Sequence, residues 1–190
     1  ITSGRIKPGT KLQVEPLKKK YGAGSSPLRE ALAHLAATGL VNSEDQRGFR
    51  VADVSLQELV DVTRLRVNLE LSALRASLKN GDIEWEISVS GAFQRLRHSI
   101  AELTADDGGA PDKWELTHRR FHLSVIGACG SPWTLHFCDR LYDQLERYRR
   151  IFVTHSNISP DILEEHEHIR DAVLKRDEAR QHRAFGDGDH

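Results

Sequence analysis

Only two cysteines, Cys129 and Cys138, occur in 190 residues. Nine positions apart, they suit neither a zinc knuckle nor a disulfide framework, and so few thiols point to a reducing, cytoplasmic setting. No run of eighteen apolar residues exists, so no membrane-spanning helix and no membrane partner are expected. No signal-peptide pattern is present, although the chain opens at Ile1 rather than methionine and a further N-terminal stretch is expected ahead of it. Internal repeats and low-complexity segments are also lacking. Nor is there a nucleophile phrase, a phosphate-binding glycine loop or a His-Glu-x-x-His motif. His166-Glu167-His168 comes nearest, but its spacing cannot place both rings on one helical face. An enzyme is therefore not expected, and a metal-dependent hydrolase stands only as the alternative.

What is present is the composition of a soluble globular protein, with 29% charged and 38% apolar residues and a net charge of −1. That balance conceals an asymmetry. Residues 1–53 hold nine Lys/Arg against five Asp/Glu, whereas residues 54–190 hold eighteen against twenty-three. A small basic half joined to a larger acidic half is expected when only the first meets a polyanion. A chance excess of four charges is the plainer alternative.

The basic half reads as short helices and a hairpin. Val14, Leu17 and Tyr21 share one helical face, and Gly22-Ala23-Gly24 turns the chain. Ser25 or Ser26 caps a second helix with Pro27 in its first turn; Leu28, Leu32, Leu35 and Ala36 form its stripe, and Gly39 ends it. Two extended runs then flank residues 44–48, with Phe49 and Val51 on the second. From Ser55 onward no strand is expected. Ser55 and Glu58 form a capping box opening a long helix to about residue 78, whose apolar positions include Leu56, Val60, Leu65, Leu69 and Leu74. Further helices are expected over 84–103, 113–128, 132–154 and 160–176. The fold class is mainly α: a winged helix-turn-helix over residues 1–54, then an all-helical bundle over 55–190.

The N-terminal wording carries a resemblance. Gly4 to Leu12 reads GRIKPGTKL, Ser26 to Leu32 reads SPLREAL, Gly39-Leu40-Val41 follows, and Arg47-Gly48-Phe49-Arg50-Val51 closes the segment. These phrases, in this order and spacing, resemble the GntR family of bacterial repressors. The rest of the chain resembles its FadR-type branch, with a helical ligand-binding domain, and the region around Tyr148-Arg149 is similar to glutarate-responsive carbon-starvation regulators. The resemblance implies a cytoplasmic homodimer on palindromic operator DNA. Physical chemistry agrees. Ser25, Ser26 and Arg29 open the recognition helix, where hydroxyls and helix amides hold phosphate and a guanidinium reads guanine. The family usually has arginine where Ser25 stands, which reduces direct base reading. Lys18, Lys19 and Lys20 are candidate phosphate contacts, and Arg47 with Gly48 matches the family's wing tip. The alternatives are an Arg29–Glu30 ion pair, a solvated lysine face, or a winged helix that binds protein instead of DNA.

In the second half, histidine carries the chemistry. His118 and His122 lie four apart on the face that also holds Trp114, Phe121, Val125 and Cys129. His166 falls in register with Ile162, Ile169 and Val173, while His168 lies off that stripe. Three inward imidazoles are costly unless shared by a divalent metal, though hydrogen-bonded histidines around an organic ligand are the alternative. The FadR-type resemblance implies a metal bound by Asp-x-x-x-His and two later histidines, matched here by His122, His166 and His190, with His182 as substitute for the last. His118 stands where the family has aspartate; losing that negative charge favours zinc or nickel over manganese. The same resemblance implies that Arg66, of the Arg66-x-x-x-Glu70 phrase, faces an effector cavity. Arg147, Tyr148 and Arg150 are further candidates to grip the carboxylate of a small organic acid.

Overall fold

The computed structural model describes residues 1, 6–44, 48–103, 111–152 and 161–176, except the side chains of 103, 111, 150 and 152. Arg47, His182 and His190 lie outside the described residues. Ten elements follow in the order β1 (Lys11–Leu12), α1 (Val14–Tyr21), α2 (Ser25–Ala37), β2 (Val41–Glu44), β3 (Gly48–Val51), α3 (Leu56–Asn80), α4 (Ile83–Leu103), α5 (Pro111–Val125), α6 (Pro132–Phe152) and α7 (Ile162–Leu174).

The first five elements form an N-terminal winged-helix head. Its sheet runs β1-β3-β2, antiparallel throughout, with Leu12 opposite Phe49 and Val41 opposite Val51. Strand β1 was not anticipated, because two residues are too few to show period-two alternation. Leu12, Leu32, Val41 and Val51 form the core, and Val14, Leu17 and Leu35 pack around it half-buried. Gly22 ends α1 in the left-handed region at φ 64°, where its amide bonds the Lys18 carbonyl. Arg50 staples the wing, with Nε donating to Glu44 at 2.6 Å and Nη1 to the Gly9 carbonyl at 2.7 Å. Gly24, rather than either serine, occupies the N-cap of α2, and no side chain caps the helix. Its first amides are therefore open at the surface.

Ser55 caps α3, its hydroxyl accepting from the Glu58 amide at 3.0 Å. Ser55→Ala is expected to cost about 0.5–2 kcal/mol in urea unfolding of the helical domain, whereas Ser55→Asp should be near neutral. Helix α3 lies on α6, and α4 packs on both α5 and α7. The shared core includes Leu74, Val89, Phe93, Leu96, Phe121, Val125 and Val173. Gly81 is required at the α3–α4 corner, since an added Cβ would stand 2.1 Å from the Trp85 ring. Leu56, Val60 and Leu65 of α3 are exposed, so the apolar stripe expected there is buried only further along the helix, from Leu69 to Leu78. No helix among the described residues is long and apolar enough to cross a membrane.

Candidate metal and effector centre

Helix α5 places Trp114, His118, Phe121, His122 and Val125 on one buried face, and α7 brings His166 against it. The three imidazoles meet. His122 Nε2 lies 3.2 Å from His118 Nε2 and 3.2 Å from His166 Nε2. His166 Nδ1 lies 2.6 Å from the Ile162 carbonyl, which can only accept, so the proton sits on Nδ1 and the Nε2 lone pair points at the other rings. One ordinary hydrogen bond at His122 Nε2 cannot serve both neighbours. A neutral His122 Nε2 carries either one proton or one lone pair, yet faces two other ring nitrogens.

Burial first, and then mutual repulsion and the nearby Arg66 and Arg149 charges, hold His118 and His122 well below the usual histidine range. Burial likewise lowers His166. All three are thus neutral donors near pH 7. Ligands about 2.0–2.1 Å from a tetrahedral ion stand about 3.3 Å apart, close to the separation of these ring nitrogens. The donor set fits a borderline divalent ion, with Trp114 stacked on His118 at 5.0 Å as one wall. Burial pushes the nearby Cys138 thiol up to about 12, so without a metal it stays protonated.

Arg66 lies beside the centre, buried with Glu70. Its Nε donates to Glu70 at 2.9 Å and its Nη2 to the Tyr142 hydroxyl at 2.9 Å, with the guanidinium 4.3 Å from the centre of the Tyr142 ring. Tyr142 in turn reaches His122 at a ring separation of 6.0 Å. The second cation near the imidazoles is Arg149, which donates to buried Glu115 at 3.0 Å. Sequence reasoning passed over it for its neighbours. The signal available was its seven-residue spacing from Tyr142, two helical turns along one face.

Arg147 and Tyr148 go elsewhere. Arg147 Nη2 donates to the Ala52 and Asp53 carbonyls, and the Tyr148 hydroxyl donates to Glu58 at 2.6 Å. Burial and that bond push the Tyr148 phenol up to about 12. The Arg150 side chain is outside the described residues. In the head, Arg29 is exposed, and Glu30 is engaged by the Ser26 hydroxyl at 3.3 Å rather than by Arg29. Ser25 is half-buried and Ser26 exposed at the open end of α2. Lys18 pairs with Glu15 at 3.1 Å, Lys19 is exposed, and Gly48 begins the wing strand at φ 94°.

The sequence patterns of known families match both halves. "Bacterial regulatory proteins, gntR family" covers residues 1–51, and "FCD domain", the FadR-like C-terminal domain, covers residues 61–186. The chain belongs to the GntR family. As a GntR regulator it is 40% identical over 180 residues to the HTH-type transcriptional regulator BphR of Paraburkholderia xenovorans, spanning 95% of this chain and 74% of that one. It is 37% identical over 186 residues to the HTH-type transcriptional repressor GlaR of Escherichia coli, at 95% and 83% coverage. Its fold superposes on Escherichia coli McbR/YncC with a TM-score of 0.77 at 19% identity, covering 97% of this chain and 85% of that one. The protein is a DNA-binding transcriptional regulator with a ligand-binding regulatory domain, not an enzyme, and the hydrolase alternative falls away.

Proposed function

We propose that this regulator is a cytoplasmic, homodimeric repressor whose hold on operator DNA is set by a small organic acid bound at a divalent-metal centre. The observation that carries the reading is the convergence of three neutral imidazoles beside the buried Arg66 guanidinium. A metal held by His118, His122 and His166 keeps open coordination positions, and one carboxylate oxygen of the effector fills such a position. Arg66 supports the acid's negative charge through directional hydrogen bonds, with Arg149 as a second cation. Zinc suits the all-imidazole donor set best, nickel next and manganese least. With His190 as a fourth ligand, the carboxylate would complete a five-coordinate centre in this reading. Calorimetry of zinc-loaded protein against glutarate, other dicarboxylates and hydroxy acids tests it. At least one saturable binder that changes operator affinity is expected, and a uniformly silent panel rejects it.

On the DNA side, the uncapped amides of α2 with Ser25 and Ser26 take phosphate oxygens, and exposed Arg29 reaches a base edge in the major groove. Lys18, Lys19, Arg47 and Gly48 position the backbone at the helix-turn-helix and the wing. Arg29→Ala is expected to weaken binding to a selected palindromic operator by about 5- to 150-fold, and to relax preference at one base pair per half-site. Lys19→Ala should instead weaken all sequences alike and reduce the slope of log affinity against log salt by about one. Fluorescence anisotropy across a salt series measures both. An Arg29→Ala protein with wild-type affinity and preference removes that residue from the interface.

A further inference from the structure

Helix α6 is bonded at once to the effector centre and to the DNA-binding head, through opposite faces. At about 100° per residue, Arg149 lies only about 20° around the helix from Tyr142, whereas Gln144 and Arg147 lie about 140–160° from it. Tyr142 accepts from Arg66 on the inner face. On the outer face, Gln144 Nε2 donates to the Thr38 carbonyl at 2.7 Å, at the residue that caps the end of α2. Arg147 holds the Ala52 and Asp53 carbonyls where β3 leaves the head for α3. Arg147 is 1% exposed, and its Nε and Nη1 have no hydrogen-bond partner among the described residues. A buried guanidinium spending its bonds on two linker carbonyls is a costly way to fill space. It is a direct way to fix where the head sits.

We propose that α6 is the coupling arm of this regulator, with Gln144 and Arg147 as positioning residues that transmit the state of the Arg66–Tyr142 contact to the end of the recognition helix. The proposal rests on the effector reading above. A carboxylate that draws the Arg66 guanidinium toward itself changes its bond to Tyr142. Gln144 and Arg147 follow within about one and a half turns, roughly 8 Å along a rigid helix. A shift of α6 then moves Thr38 and the linker together, and two heads docked in successive major grooves tolerate little displacement. All three bonds are made by the helical domain to backbone carbonyls of the head and its linker, so the identity of the head's side chains does not matter to the linkage.

The test measures linkage with full-length protein. Operator affinity is determined by anisotropy without ligand, with zinc alone, and with zinc plus glutarate; zinc affinity is determined separately by competition with a chelator. Wild type is expected to change its operator affinity at least fivefold with one of the probes, the usual floor of allosteric coupling. Gln144→Met, which keeps the length but removes the donor, should bind zinc as wild type does and reduce that ratio to within about twofold of unity. Gln144→Lys, which restores a donor, should recover the ratio. A Gln144→Met protein with the wild-type ratio overturns the coupling arm, as does one whose zinc affinity collapses, which would place Gln144 in the site itself. A wild-type protein indifferent to both probes and to the rest of the dicarboxylate and hydroxy-acid panel overturns the effector reading and the arm with it, a result visible before any variant is made.

Discussion

Zinc added to protein purified without a histidine tag is expected to raise the melting temperature of the helical domain by about 8–16 °C at a thousandfold excess over Kd, equivalent to about 4 kcal/mol. His118→Ala combined with His122→Ala should abolish the shift and the bound metal, while leaving the winged-helix head folded. The double variant matters because a single alanine still leaves two converging imidazoles, enough for weak binding. The pH dependence carries a specific sign. Burial holds all three folded-state histidines below their ordinary range, so the site stays neutral and zinc affinity should be flat from pH 8 to about 6.5. It should fall only at lower pH, as the folded-state values are reached. Stability of the metal-free fold moves in the same direction. Between the lowered folded values and about 6.5 the unfolded chain binds more protons, so stability is fully present above that range and declines as pH falls through it. Elemental analysis and calorimetry measure the metal, and thermal scans over the same range measure the fold. Less than about a tenth of an equivalent of metal after incubation with zinc returns the cluster to hydrogen-bonded core histidines.

Removing Arg66 should be the most damaging single substitution near the centre. Arg66 is 4% exposed and Glu70 is 2% exposed, so Arg66→Met leaves a carboxylate deep in the bundle without the guanidinium beside it. The expected loss is about 3–5 kcal/mol in urea unfolding, larger than any surface change. Arg66→Met with Glu70→Leu should regain most of it, because a well-packed apolar pair often matches a buried ion pair in stability. The pair of variants separates fold from function. The double variant is expected to be stable and to bind zinc, yet to lose response to organic acids at the operator. A double variant that still responds to glutarate as wild type does would remove Arg66 from the effector site.

Much of this arrangement was legible in periodicity and punctuation. The capping box at Ser55 and Glu58, the break at Asn80-Gly81 and the i, i+4 pair on α5 depend on neighbours within one or two turns. Such signals survive in a bare sequence. The head was legible for a different reason, since several phrases over residues 4–51 agree in order and spacing with one family. The misplaced details have separate causes. The α2 stripe is mostly half-buried because the small head core among the described residues, built on Leu12, Leu32, Val41 and Val51, cannot cover a whole helix face. Gly24 rather than a serine caps α2, and both residue types are good N-caps, so local chemistry did not choose between them.

The sequence by itself therefore determined the order of the helices and the facing of His118 and His122 inward, because each follows from the pitch of a helix. Only the tertiary structure decided which arginines meet the centre. Helix α6 is packed on both sides, against α3 and α5 within the bundle and against the head across the linker, so apolar and polar residues alike are buried around it. A helix buried on two faces has no single stripe to read. Arg147 and Arg149 are two positions apart and chemically identical, yet about 160° separates them on the helix. The one that turns inward stands near the imidazoles, and the one that turns outward holds the head.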